Sequence, residues 1–188
     1  MADPSVKTTQ DVVAFLKAQH NRIKELFSET INAVDNDTRE KKFFELRSLL
    51  AVHETAEEMI VHPKARQEIP GGDAIVDARL HEENEAKQQL QNIESMGPES
   101  PEFKNALIEF QSDVIEHAEH EENEEFNELA DTLTEADLKK MAGAVRAAEA
   151  IAPTRPHPGV ESPVMNFAAG PFASLLDRAR DAIEVALR

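Results

Sequence analysis

Four long stretches of this chain repeat apolar side chains at three- and four-residue steps, and each stretch carries a histidine in or beside that seam. This is the step at which an α-helix returns to one face, so the pattern has no place in a pleated sheet. Val12, Leu16, Ile23, Phe27 and Ile31 predict a first helix over about residues 9–34, broken by Asp35, Asn36 and Asp37. Phe43, Leu46, Leu50 and Ile60 predict a second over about residues 38–62, with Pro63 as its stop. Beyond Pro70, Gly71, Gly72 and a capping Asp73, a third is expected over about residues 74–96, ended by Gly97 and Pro98. Phe103, Leu107, Phe110, Val114 and Leu129 mark a fourth over about residues 101–132. Short links between helices of this length predict an all-α, up-down-up-down four-helix bundle over residues 1–133.

The remainder, residues 134–188, reads as a helical extension. Thr134 and Asp137 resemble a capping box and start a fifth helix with an alanine-rich face, running to about residue 151. Four prolines between residues 152 and 170 predict an extended connector. A last helix, about residues 171–187, carries an apolar stripe of Leu175, Leu176, Ala179, Ile183 and Leu187 that needs a partner surface, on this chain or in a homodimer.

Composition narrows the chemistry. Twenty Lys and Arg against 37 Asp and Glu leave a net charge of −17, which repels phosphate backbones and anionic headgroups, so neither nucleic acid nor membrane is an expected partner. The absence of cysteine excludes disulfides, thiolate zinc sites and iron–sulfur clusters, and any metal must rest on histidine and carboxylate. The N-terminal sequence has no signal-like segment and no apolar run suits a membrane helix, so the cytoplasm is the expected compartment.

Three histidines have a glutamate four residues later on a predicted helix: His53 with Glu57, His81 with Glu85, and His117 with Glu121. One helical turn separates the members of each pair, so both can address one point. Glutamate is abundant and the spacing alone is weak, since His120 with Glu124 and His157 with Glu161 also fit it. Position is the stronger signal. His53 and Glu57 lie between Leu50 and Ile60, His117 and Glu121 extend the Val114 seam, and His20 lies between Leu16 and Ile23. Each of these histidines, taken singly, reads as a hydrogen-bonded core residue. Together they place several ionisable groups in one core, an arrangement that metal coordination satisfies at once. On the third helix the seam of Ile75, Ala78, Ala86, Leu90 and Ile93 leaves His81 at its edge, with Glu82 as an alternative to Glu85. His81 is the nitrogen donor of that helix and is taken as its ligand. His62 reads as a helix-end residue, His120 as a flanking one, and the run from 119 to 125 as a solvated face with Glu121 or Glu122 turned inward.

These residues resemble the hemerythrin-like, or HHE cation-binding, family: a lone His20, then His53-x-x-x-Glu57 followed by an apolar stretch and Pro63, then His81, then His117-x-x-x-Glu121 with Glu122. The resemblance covers about residues 9–132, and the connector and last helix resemble an extension of actinobacterial relatives. It implies two iron ions, oxo- or hydroxo-bridged, with Glu57 and Glu121 as bridges and the histidines terminal. Oxygen carriers of the family have a second histidine on the third helix where this chain has Glu85, and an aspartate on the fourth. Glu54, in His53-Glu54-x-x-Glu57, is a candidate for the missing ligand. Extra carboxylate favours the ferric state and disfavours reversible carriage. The expected function is therefore reaction with peroxide, nitric oxide or O2, in a peroxidase- or catalase-like detoxifying role. The alternative is an oxygen or iron sensor, carrier or store using the same site. A structural bundle, or one holding zinc or b-type haem, is a third reading.

Overall fold

The computed structural model describes residues 11–152, which are helical throughout apart from short turns. The expected connector, the last helix and His157 lie outside the described residues. Helix α1 spans Val12–Ile31, α2 Asn36–Ala56, α3 His62–Glu68, α4 Gly72–Met96, α5 Pro101–His120, α6 Asn127–Thr132 and α7 Glu135–Glu149. Local chemistry sets the starts. Ala14 N–H donates to Asp11 Oδ1 at 2.8 Å, Thr38 N–H to Asp35 Oδ1 at 2.7 Å, and Asp137 N–H to Thr134 Oγ1 at 3.2 Å. Pro101 opens α5, where its missing N–H is not needed.

Two helices do not end where the sequence suggests. Between α2 and α3 the chain continues as a π-helical segment, Glu57–Val61, and between α5 and α6 as a second, Glu121–Phe126. Pro63 was expected to stop the second helix, but the helix passes through it to Glu68. The π segment makes this possible by widening the backbone just before the proline, with His62 N–H donating to Glu57 O five residues back. Gly71, at φ 77°, then reverses the chain. Gly72 closes the turn, since a Cβ there would meet Ala65 O at 2.3 Å.

The bundle is a ring in which α1 packs on α2 and α5, α4 packs on α5, and α3 carries the second helix against α4. Helix α7 lies across α1, α2 and the first π segment. The core is split into two apolar clusters. One contains Ile23, Phe27, Phe43, Leu46, Leu50, Leu90, Phe103 and Phe110. The other contains Val12, Leu16, Ile60, Val76, Phe126, Leu129, Met141 and Val145. Helices α1, α2 and α4, and α5 together with the π segment that continues it, cross from one cluster to the other through polar residues, and these form a buried layer between them.

Candidate metal centre

That layer is built from one or two turns of each helix. His20 of α1 lies between Leu16 and Ile23, and His53 of α2 follows Leu50; both are almost fully buried, as are Glu57 and Glu121 at the starts of the two π segments. His20 Nε2 stands 3.0 Å from His53 Nε2 and 3.3 Å from Glu121 Oε2, and His53 Nε2 stands 3.3 Å from Glu57 Oε2. These four side chains offer ligand atoms that all lie within 4.8 Å of one another. His117 Nε2 adds a nitrogen 3.2 Å from Glu121 Oε1.

A second group forms on the other side of Glu121. His62, Glu83 and Glu121 also bring three ligand atoms within 4.8 Å of one another, so Glu121 belongs to both groups. His62 Nε2 is 2.6 Å from Glu83 Oε1, and His62 Nδ1 is 3.0 Å from Glu125 Oε1. Sequence reasoning missed all three of His62, Glu83 and Glu125. His62 is nine residues after His53, half a turn away on an α-helical wheel, and the extra residue of a π segment rotates it back by roughly 100°. Glu83 had a legible signal, because it lies seven residues from both Val76 and Leu90 and all three are buried.

Other expectations are corrected. The buried face of α4 is Val76, Arg79, Glu83, Lys87, Leu90 and Ile93, so Ala78 is exposed and His81 points away from the core. The His81 side chain is 73% exposed and its Nε2 lies 3.6 Å from Glu85 Oε1, an equally open surface pair. Neither reaches the layer. Glu85 instead lines an open polar cleft of about 260 Å³ between α4 and α5, with Glu82, Asp113, Glu116 and His120. Glu54 is buried but turned to α4, where Lys87 Nζ lies 3.7 Å from its Oε2. Lys87 also contacts Glu58 and stands 3.4 Å from Glu83 Oε2. This buried ammonium is the counter-charge that lets three carboxylates share the flank of the layer.

The outer ring nitrogens are all engaged. His20 Nδ1 is 2.8 Å from Glu122 Oε1, His53 Nδ1 2.8 Å from Gln19 Oε1, and His117 Nδ1 2.8 Å from Glu82 Oε2. Oxygen acceptors at Nδ1 assign a proton there on each ring and make Nε2 the metal-binding nitrogen of His20 and His53. Burial opposes charge at His117, but Glu121 and Glu82 overcome it and raise the imidazole well above its usual value in the metal-free layer. On the carboxylate side, both oxygens of Glu57 and of Glu121, and one of Glu125, are buried without a hydrogen-bond donor. Orphaned oxygens opposite converging lone pairs are a donor set that a cation satisfies.

Electrostatics agrees. Burial, with Glu121 beside it, pushes the Glu57 carboxyl well above its usual range, and burial with the neighbouring His20 pushes His53 down to about 3. Burial lifts Glu54 to about 8 and Glu58 to about 7. Burial opposes charge at His62 too, but Glu125 and Glu83 overcome it and raise the imidazole to about 10, while Glu83 falls to about 2 against the same burial. Glu121 holds its charge against burial through His117 and His20. A bound cation would reverse the neutral state of Glu57 and release its proton. A cavity of about 20 Å³ approaches the layer from the Ile23, Leu50 and Val114 side, room for one water or a diatomic ligand.

Comparison with known proteins accords with this architecture. The family described as "Hemerythrin HHE cation binding domain" matches residues 11–129. A hemerythrin-like protein of Schizosaccharomyces pombe is 28% identical over 182 residues, covering 96% of this chain and 89% of that protein. A DNA nickase of Nostoc is 26% identical over 148 residues, which are 79% of this chain but only 41% of the nickase. The solved structure of a hemerythrin HHE cation binding domain-containing protein from Mycobacterium kansasii superposes with a TM-score of 0.65 at 21% identity, over 75% of this chain and 88% of that one, and so shares its fold. With its family pattern matched across the whole bundle and a His/Glu layer where that pattern falls, the chain belongs to the hemerythrin HHE cation-binding family.

Proposed function

We propose that this protein is a non-haem di-iron protein that reacts with a small ligand, peroxide, nitric oxide or O2, and serves in oxidative or nitrosative detoxification. The observation that carries the reading is the sharing of Glu121 between two buried groups of potential ligands. One cation would rest on His20, His53, Glu57 and Glu121 and the other on His62, Glu83 and Glu121. His117, beside Glu121, and Glu125, beside His62, complete the set. Bound iron would supply electron exchange with the ligand. The chain's own part is to hold the ions, to fix the ring tautomers through Glu122, Gln19 and Glu82, and to admit only small ligands along the apolar cavity. The histidine and carboxylate donors suit iron, and Zn2+ or a single metal is the competing occupant.

Nicking of DNA is not carried over from the Nostoc relative, of which this chain spans less than half, and the net charge of −17 opposes a DNA substrate. No helix among the described residues is long and apolar enough to cross a membrane, and we take the compartment to be the cytoplasm.

Metal analysis and absorption spectroscopy of the purified protein test the reading together. Two irons per chain with oxo-bridged ferric bands are expected; one zinc, or a haem Soret band, would sink it. Sustained conversion of H2O2 to water and O2, or of nitric oxide, separates an enzyme from a sensor, carrier or store, which would respond once per site.

A further inference from the structure

Helix α7 lies outside the four-helix ring, yet its last residue reaches the buried layer through one intermediary. Gln19 Oε1 is 2.8 Å from His53 Nδ1, and Gln19 Nε2 donates to Glu149 Oε1. A carboxylate accepts and does not donate, so Glu149 takes the nitrogen end of the amide and turns the oxygen end to His53. His53 must then carry its proton on Nδ1, which leaves the lone pair on Nε2, the atom facing His20 and Glu57. A flipped amide would present N–H to Nδ1 and move the imidazole proton to Nε2, where it blocks coordination.

From this chain of contacts we infer that Glu149 is a positioning residue for the metal centre: acting through Gln19, it locks His53 in its metal-binding tautomer and couples the seating of α7 to cation affinity. The inference rests on the reading of the layer as a metal site. The rest of α7 is fixed to the same stretch of α1. The Arg146 guanidinium lies 4.5 Å over the Phe15 ring, one turn before Gln19, and Met141, Ala144, Val145 and Ala148 are buried against the bundle. Coupling is reciprocal, so bound metal must also hold α7 down.

Co2+ titration of the full chain tests this, with wild type, Glu149→Ala, Gln19→Glu and the double variant. Loss of an outer partner that orients a ligand histidine weakens metal binding by about tenfold or more, which is the expectation for Glu149→Ala. Gln19→Glu gives His53 a carboxylate acceptor in place of the amide oxygen but sets a second carboxylate against Glu149, so its Co2+ affinity recovers only when Glu149→Ala removes that repulsion. Adding Glu149→Ala to it therefore causes a gain instead of a further loss. A purely structural role for Glu149 would subtract equally in both backgrounds and overturn the inference, as would equal affinities of wild type and Glu149→Ala. Two further readouts do not depend on affinity. The shifted, exchangeable Nδ1–H resonance of His53 in the Co2+ protein should be lost in Glu149→Ala, and Co2+ should slow amide exchange in α7 of wild type but not of Gln19→Leu. Failure of wild type to take up Co2+ would instead overturn the metal reading beneath the inference.

Discussion

Glu121 carries the heaviest demand of any side chain in the layer, because it is fully buried, lacks donors on both oxygens and belongs to both candidate cation groups. Glu121→Gln should therefore lower the metal content of both positions and leave less than one ion per chain, whereas His81→Ala should keep the full complement. Elemental analysis of the two variants checks the contrast, and a fully loaded Glu121→Gln protein would refute the shared-ligand geometry. His62 gives a pH signature in the metal-free state. Its folded value of about 10 exceeds the ordinary 6.5, so the stability that it contributes is complete below pH 6.5 and is lost as pH rises through about 10. Its partner Glu83, lowered to about 2, contributes stability present above its ordinary 4.5 and lost as pH falls through about 2. Urea unfolding in chelator at pH 6.5 and 9.5 should show His62→Gln losing less stability across that interval than wild type. Equal losses would mean that the His62–Glu83 pair does not form.

At the scale of elements, the apolar period exposed the long helices and the inward aim of His20, His53, Glu57, His117 and Glu121, because these residues follow α-helical arithmetic from their apolar neighbours. That arithmetic fails after Glu57 and Glu121, where each helix turns π and every later residue changes phase. Hence Pro63 looked like a stop, His62 like a helix end and Glu125 like part of a solvated run. Glu83 was hidden for a different reason: α4 buries Arg79, Glu83 and Lys87 in a row, so half of its core face is charged, and its alanines mark a different side of the helix. Helix α7 was legible from its capping box and its alanines, but its role in covering the layer was not. Met141, fully buried between α7 and the cluster around Ile60 and Phe126, ties it down. Truncation by Met141→Ala should destabilise the protein by about 2–5 kcal/mol in denaturant titrations and, by loosening α7, weaken Co2+ affinity in the same direction as Glu149→Ala. An unchanged Co2+ affinity would show that the seating of α7 and the site are not coupled.

For the whole molecule the buried polar layer divides the apolar core in two, and a metal-free bundle must hold its carboxylates there without enough positive charge. Bound metal reverses that penalty, and at a free concentration about a hundred times its dissociation constant it stabilises the fold by about 2.7 kcal/mol. Glu57 reports on this balance most directly. In the metal-free protein burial and Glu121 keep its carboxyl neutral, so glutamine is a near-isosteric copy of the form already present. Glu57→Gln should then match or exceed wild type in stability when chelator is present. With Co2+ supplied the order should invert, because the variant has lost an oxygen ligand of the His20–His53 group and with it most of the stabilisation by metal. Parallel urea titrations of both proteins, with chelator and with Co2+, decide the matter. A Glu57→Gln protein weaker than wild type in chelator would mean that Glu57 serves the fold through contacts of its own, and the layer would lose its character as a site held ready for cations at the expense of core stability.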